Sequence, residues 1–405
     1  MQLRYIKQCL GIFGVMVMLG FAEYAMAKSQ PQLSDHTYKV VNSAQRLVAL
    51  KNYDDALEKL ADARERTSRQ YDQAVLLQQT GYIYSMLSNY KQAIHYFDLS
   101  LKTNGLPISV AQQVRYGLGQ LYLAEEQYRQ SIDTLEQWFK VNPSTEEPPQ
   151  ATVYVTLASA YAQIEDYKHV IKPMKTAINM TKEPNENWYL LLMASYHELK
   201  QYRNMIGVLE TLTQKYPNKK QYWMQLSGAY MEIGQEKDAL SALEMPYQLG
   251  MFTKEPEIMR LVNFEAYMGI PYRAASILDK ALQENKVERT VEALDALANF
   301  YHQAKDLPQA IQAYEASYQL APSVDKQSKI SKLMLQDKDY AKLIKFTSEP
   351  AKDADFNDKA QLSYLRGMAY FELKQHKQAL QAMESAAEST EVKSMAVAWI
   401  QYLKG

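Results

Sequence analysis

Six histidines, one cysteine and two short motifs are the parts of this 405-residue chain whose types and spacing invite chemistry. The histidines are His36, His95, His169, His197, His302 and His376, and no two stand four apart, the spacing that brings two imidazoles to one helix face for a metal. Cys9 lies far from them in an apolar run and cannot assist. Gly117-Leu118-Gly119 opens like a dinucleotide loop, but it lacks the third glycine and a preceding strand. Ser323-Val324-Asp325-Lys326 has serine–lysine nucleophile spacing, yet it follows Pro322 directly and has no companion motifs. Acidic residues are scattered over what read as helix exteriors, without a paired acid and base. The expectation is a chain with no catalytic residue, no metal and no cofactor, and therefore not an enzyme. Lys and Arg number 45 against 46 Asp and Glu, with no basic run, so nothing resembles a nucleic-acid footprint.

The first residues differ from the rest. Arg4 and Lys7 precede an uninterrupted apolar or glycine run from Cys9 to Phe21, and Ala25-Met26-Ala27 places small residues where a signal peptidase needs them. Residues 1–27 read as a signal peptide cleaved after Ala27. The run is shorter than the roughly 20 residues of a membrane span. A retained anchor is the rival reading. Residues 28–36 then form a polar, flexible leader holding Pro31.

From there one pattern recurs. A small or apolar residue marks the buried stripe of a second helix at Ala56, Ala93, Ser131, Val170, Met205, Ala239, Ala275, Ala310, Leu343 and Ala379. Twelve residues earlier sits a close-packing position of a first helix: Ala44, Gly81, Gly119, Ala158, Met193, Ser227, Asn263, Ala298, Ser331 and Gly367. Three residues after that position comes a large side chain in most units, as with Tyr84, Tyr122, Tyr161, Tyr196, Tyr230, Tyr301 and Tyr370. Gly or Ala lets two helices approach closely, Tyr fills the next layer, and a proline such as Pro143, Pro217 or Pro322 stops the second helix. Neither helix could bury its apolar face without neighbours, so units must stack.

This pattern resembles the tetratricopeptide repeat, most fully in Ala74–Gly105, Gln112–Pro143, Ala151–Lys182, Glu186–Pro217, Lys220–Met251 and Val291–Pro322. The resemblance implies an all-α, right-handed α–α superhelix of about ten helix–turn–helix units over residues 37–390, closed by a C-terminal capping helix within 391–405. Val392, Ala396, Trp399 and Leu403 fall along one side of that helix. The turn-rich run Pro143–Pro149, Pro173 inside a second helix, and Gly250–Pro256 are the expected interruptions.

In such arrays the ligand lies in a concave groove lined by first helices. Counting along those helices gives a protein- or peptide-binding groove of Tyr82, Met86, Tyr116, His197, Met224, Met231, Phe264, Tyr267, Met268, Tyr364, Met368 and Phe371. Aromatic and Met side chains are adaptable contacts for a partner. Of Val41, Gln78, Tyr116, Val155, Leu190, Met224, Arg260, Asp295, Ser328 and Tyr364, at one inward position, only Arg260 is basic. A clamp for C-terminal carboxylates is therefore not expected.

The runs Pro184–Leu192, Tyr222–Ser227 and Gly269–Ala275 are similar to a group of Gram-negative repeat proteins encoded beside TonB, ExbB and ExbD energy-transduction components. That resemblance implies a periplasmic, non-enzymatic scaffold serving siderophore uptake, with TonB-system components as partners and only indirect membrane association. A scaffold for envelope biogenesis (polysaccharide export, wall synthesis or outer-membrane assembly) is the alternative.

Ala93 is expected at the tightest helix–helix approach and Tyr82 in the groove. Ala93→Asp buries an unpaired charge and should lower the urea midpoint sharply, while Tyr82→Ala should weaken partner binding with helicity intact by circular dichroism.

Overall fold

A backbone turn repeated ten times fixes the architecture. In each hairpin the residue seven places after the close-packing position has positive φ: Lys51, Ser88, Glu126, Glu165, Lys200, Gly234, Gly269, Lys305, Lys338 and Lys374. The next residue then donates its N–H back to a carbonyl in the last turn of the first helix, as in Asn89 to Tyr84 (2.9 Å), Asp306 to Tyr301 (2.9 Å) and Gln375 to Tyr370 (2.9 Å). This satisfies carbonyls that the helix end leaves without an intrahelical donor, and it reverses the chain in the shortest way. Asn89, Asp166, Asp306 and Asp339 then cap the following helix by accepting from Gln92, His169, Gln309 and Lys342 N–H.

The computed structural model describes residues 32–142 and 148–405. These residues hold 21 α-helices and no strand. The proposed signal peptide, Pro31, Pro143 and most of the Pro143–Pro149 run lie outside the described residues. The chain divides into two compact bodies, one through Tyr216 and one from Pro217.

The first body holds five hairpins: α1 (Asp35–Ala49) with α2 (Tyr53–Glu65), α3 (Gln70–Met86) with α4 (Tyr90–Lys102), α5 (Ile108–Ala124) with α6 (Tyr128–Val141), α7 (Ala151–Gln163) with α8 (Tyr167–Met180), and α9 (Glu186–Glu198) with α10 (Tyr202–Lys215). The second body holds α11 (Lys220–Glu232) with α12 (Glu236–Gln248), α13 (Glu255–Tyr267) with α14 (Pro271–Gln283), α15 (Val291–Gln303) with α16 (Leu307–Leu320), α17 (Val324–Gln336) with α18 (Tyr340–Thr347), and α19 (Phe356–Glu372) with α20 (His376–Ala386). A final helix, α21 (Lys393–Lys404), packs on α20 through Val392 and Ala396.

The second-helix stripe is buried at every marked residue, from Ala56 to Ala379. Where the position is not alanine the polarity is accounted for: Ser131 Oγ donates to the Gly119 carbonyl at 2.7 Å. The glycines of the first helices answer to bulk opposite. A Cβ on Gly81 would lie 2.6 Å from the Phe97 ring, on Gly119 2.8 Å from Leu135, and on Gly367 2.9 Å from the end of Met383. Close approach of the backbones is thus matched to a large residue four places after the second-helix marker.

One hairpin is out of step with the sequence reading. In α13 the close-packing residue is Val262, which is buried, whereas Asn263 is exposed. The second-helix marker is Ala274 and not Ala275. Both are fully buried, but the turn settles the choice, because Gly269 is the positive-φ residue and Ile270 N–H bonds to the Glu265 carbonyl (2.9 Å). The residue filling the large layer of this hairpin is therefore Glu265.

Two smaller differences have local causes. The array begins at Asp35, inside the segment expected to be leader. Asp72 of α3 accepts from Ser34 N–H (3.2 Å) and Ser34 Oγ (2.6 Å) and from Thr37 Oγ1 (3.1 Å), fixing the start of α1. Helix α8 runs unbroken through Pro173, whose ring is buried, and α12 likewise contains Pro246.

Gly81→Ala should lower the urea midpoint by an amount equivalent to about 1–3 kcal/mol, since the rigid Phe97 ring cannot yield. Gly367→Ala should cost clearly less, because the flexible end of Met383 can move aside. Equal effects of the two substitutions would contradict this packing.

Candidate interaction surface

Each first helix has three kinds of face. Residues four before, one before, at, and three after the close-packing position pack inside the hairpin, as Leu294, Leu297, Ala298 and Tyr301 do in α15. The residue two after packs against the preceding hairpin, as Ile83 and Leu121 do. Of the remaining positions, three before and one, four and five after form the face turned from the second helix.

That face is partly covered where neighbouring first helices touch. Helix α1 meets α3 and α5 meets α7, and Val41, Gln78, Val155 and Ser159 are buried there. Of the sequence-derived groove residues in the first body, Met86 is exposed (41%) and His197 is exposed with Nδ1 3.3 Å from Glu198. Tyr116 is half-buried, accepting from Gln120 Nε2 at 3.0 Å, with its hydroxyl 3.5 Å from Thr156 Oγ1. Tyr82 is half-buried, its ring edge-to-face with Phe97 at 5.0 Å. It therefore belongs to packing as much as to the surface.

In the second body Met231 (41%) and Tyr267 (65%) are exposed, and Tyr267 donates its hydroxyl to Glu236 at 3.0 Å. Met224 is half-buried against the core. The one-residue slip in α13 removes Phe264 and Met268 from this face. Phe264 falls two after Val262, in the slot of Ile83 and Leu121, and both Phe264 and Met268 pack against the core of the second body. Tyr267 stays on the face, now at the position of Met86. The same slip replaces Arg260 with Met259, so the single basic residue leaves the row of inward positions. At the end of the chain, Phe371 is covered by Trp399 (4.8 Å) and Tyr402 (5.9 Å) of α21, and Tyr364 packs against the cluster containing Val392 and Ala396. Met368 lies beside them, half-buried.

The sequence reading missed the polar part of the face, on hairpins α15/α16 and α17/α18. Lys326 Nζ lies 3.2 Å from Asp295 and 2.7 Å from Ser317 Oγ. Lys329 Nζ lies 3.2 Å from Asn299 and 4.2 Å from the centre of the Tyr314 ring, and Tyr314 donates its hydroxyl to Asn299. Asn299 is one after the close-packing position, so the spacing alone could have found it. Ser323, the serine of the serine–lysine spacing, caps α17 by accepting from Lys326 N–H. Gly117 and Gly119 lie within α5.

Two tyrosines of the large layer reach back to the preceding hairpin. Tyr161 donates to Glu136, and Tyr301 donates to Asp279 (3.3 Å). Burial, reinforced by these carboxylates, raises both phenols, Tyr301 to about 12. They are packing groups held neutral.

Residues 267–325 and 360–391 match family models of the tetratricopeptide repeat. These stretches are tetratricopeptide repeats, and the fold is an all-α repeat array. No curated protein matches the chain. Among solved structures, a tetratricopeptide repeat protein from Parabacteroides merdae is 11% identical, covering 75% of this chain and 100% of its own, with a TM-score of 0.37. YrrB, a repeat protein described as having an unusual peptide-binding site, is 14% identical over 51% of this chain and 97% of its own, with a TM-score of 0.38. The C-terminal part of a repeat-containing protein from Cytophaga hutchinsonii is 15% identical over 70% of this chain and 96% of its own, with a TM-score of 0.38.

Packing and surface roles separate by mutation. Tyr82→Ala should lower stability by about 2 kcal/mol through the lost Phe97 contact. Met86→Ala and Tyr267→Ala should each stay within about 0.5 kcal/mol. Urea titrations of the three variants, followed by circular dichroism, check the sorting.

Proposed function

We propose that this chain is a non-enzymatic scaffold that binds a protein or peptide through the first-helix faces of its hairpins. The observation carrying this reading is the exposed apolar character of those faces at Met86, Met231 and Tyr267, side chains that the packing of their own hairpins does not use. Flexible Met and rigid aromatic side chains on open helix faces suit adaptable contacts with a partner segment. In the second body, the network of Asp295, Asn299, Lys326 and Lys329 supplies polar groups that can fix the partner's register.

The finer reading is a periplasmic accessory of a TonB-dependent energy-transduction system, delivered by the signal at residues 1–27. Its support is the likeness of Pro184–Leu192, Tyr222–Ser227 and Gly269–Ala275 to the repeat proteins encoded with TonB, ExbB and ExbD.

Crosslinking in iron-limited cells followed by purification of the tagged chain is expected to recover a TonB-system component, with slower siderophore uptake in a deletion strain. Met231→Asp should reduce that recovery while leaving helicity unchanged. Recovery of no such component, with normal uptake in the deletion strain, overturns the finer reading. Unchanged recovery with Met231→Asp overturns the assigned face.

A further inference from the structure

Glu265 stands where seven other hairpins place a tyrosine: Tyr84, Tyr122, Tyr161, Tyr196, Tyr230, Tyr301 and Tyr370. At three of these junctions the layer faces a carboxylate of the preceding second helix, five after its marker. Tyr161 meets Glu136 there, Tyr301 meets Asp279, and Tyr122 feels Asp98. In each case a phenol, which keeps its proton at neutral pH, faces a carboxylate. At the junction between α12 and α13 the corresponding pair is Glu265 and Glu244. A carboxyl can take the phenol's part as donor only when it carries a proton.

The surroundings restrict how this pair is neutralised. Glu265 is fully buried, and neither of its oxygens accepts a well-aligned hydrogen bond among the described residues. Among the described residues Arg273 of α14 is the one cation presented to it, with Nε 3.3 Å from Glu265, and the same guanidinium also contacts Glu244. From α12 the facing titratable group is Glu244. At the ends of α13, Lys220 of α11 is engaged by Glu257 (2.6 Å), and Glu236 of α12 by Tyr267. From the following hairpin, Tyr301 is directed to Asp279. One guanidinium thus serves two carboxylates, and a buried negative charge is left over when both ionise.

We infer that Glu244, Glu265 and Arg273 form a proton-operated joint between the sixth and seventh hairpins, closed when the carboxyl pair holds one proton and loosened when it holds none. In the closed state Glu265 donates to Glu244 as the tyrosines do at the sister junctions. In the open state two carboxylates repel across the α12–α13 contact, and Arg273 offsets only one of them.

The direction with pH follows. Burial, with the Glu244 carboxyl alongside and against the pull of Arg273, pushes Glu265 up to about 7 from an ordinary 4.5. The folded junction therefore holds a proton that the unfolded chain has already lost across that window. Its stability is full below the ordinary value and declines as pH rises towards 7.

Hydrogen exchange of the full chain at pH 5 and pH 8, corrected for intrinsic rates and read by mass spectrometry, tests this. Peptides from residues 236–283 should lose protection by about tenfold or more at pH 8, while those of the eighth and tenth hairpins hold steady. Glu265→Gln donates an amide hydrogen at every pH, so it should abolish the local loss. If that variant fails to fold, Glu265→Tyr, which restores the residue of the sister hairpins, should abolish it equally. A wild-type chain with no local pH response, a response spread evenly over all hairpins, or a response that persists in the folded variant would each overturn the joint.

Discussion

Every hairpin of this chain is closed by one backbone hydrogen bond across its turn, and the remaining side-chain roles are set from that bond. The donor follows a positive-φ residue, and the acceptor is the carbonyl of the large-layer residue, three after the close-packing position. Fixing these two atoms fixes the rotation of both helices about their axes. The small residues then meet, and the bulky second-helix residue fills the space that glycine leaves. The turn is achieved against a conformational preference, since eight of its ten positive-φ residues are not glycine. That conformation costs an L-residue roughly 1 kcal/mol. Five of the eight are lysines, at Lys51, Lys200, Lys305, Lys338 and Lys374, and a cation at a helix C-terminus recovers part of the cost.

Because each hairpin contacts mainly its neighbours, the second constraint is at the junctions. There the large layer does more than fill volume. A phenol placed against a carboxylate of the preceding hairpin, as in Tyr161–Glu136 and Tyr301–Asp279, gives a directional bond in a partly buried place without adding a charge. The Glu244–Glu265–Arg273 junction solves the same geometric problem with three ionisable groups, and so makes one contact in the array depend on proton concentration. The faces left over after hairpin and junction packing carry the exposed Met and aromatic residues and the network around Asn299. The proposed binding role rests on the exposed Met and aromatic residues of those faces.

The number of hairpins, the helix class and the terminal helix were legible because small residues recur at the spacing of a stacked helical hairpin. The register of nine hairpins followed from the same residues. It failed in α13 and α14 because Ala274 and Ala275 are adjacent and both buried, so the marker was ambiguous, and because the expected tyrosine was a glutamate. Gly269 held the information needed to resolve it, through the turn. The early start of α1 was not legible, since it depends on Asp72 meeting Ser34, residues that only the stacked fold brings together. The covering of Phe371 by α21 was hidden for the same reason: the periodicity of α19 cannot show which of its faces a later helix occupies.

The assignment of faces is tested most directly by cysteine accessibility in a chain whose one natural cysteine, Cys9, is replaced. Single cysteines at positions 262, 263, 231, 267, 239 and 274 would be labelled with a maleimide under native conditions. Rapid labelling is expected at Asn263, Met231 and Tyr267, and strong protection at Val262, Ala239 and Ala274. Protection at 263 with rapid labelling at 262 would contradict the register, and with it the separation of packing from binding residues in the second body.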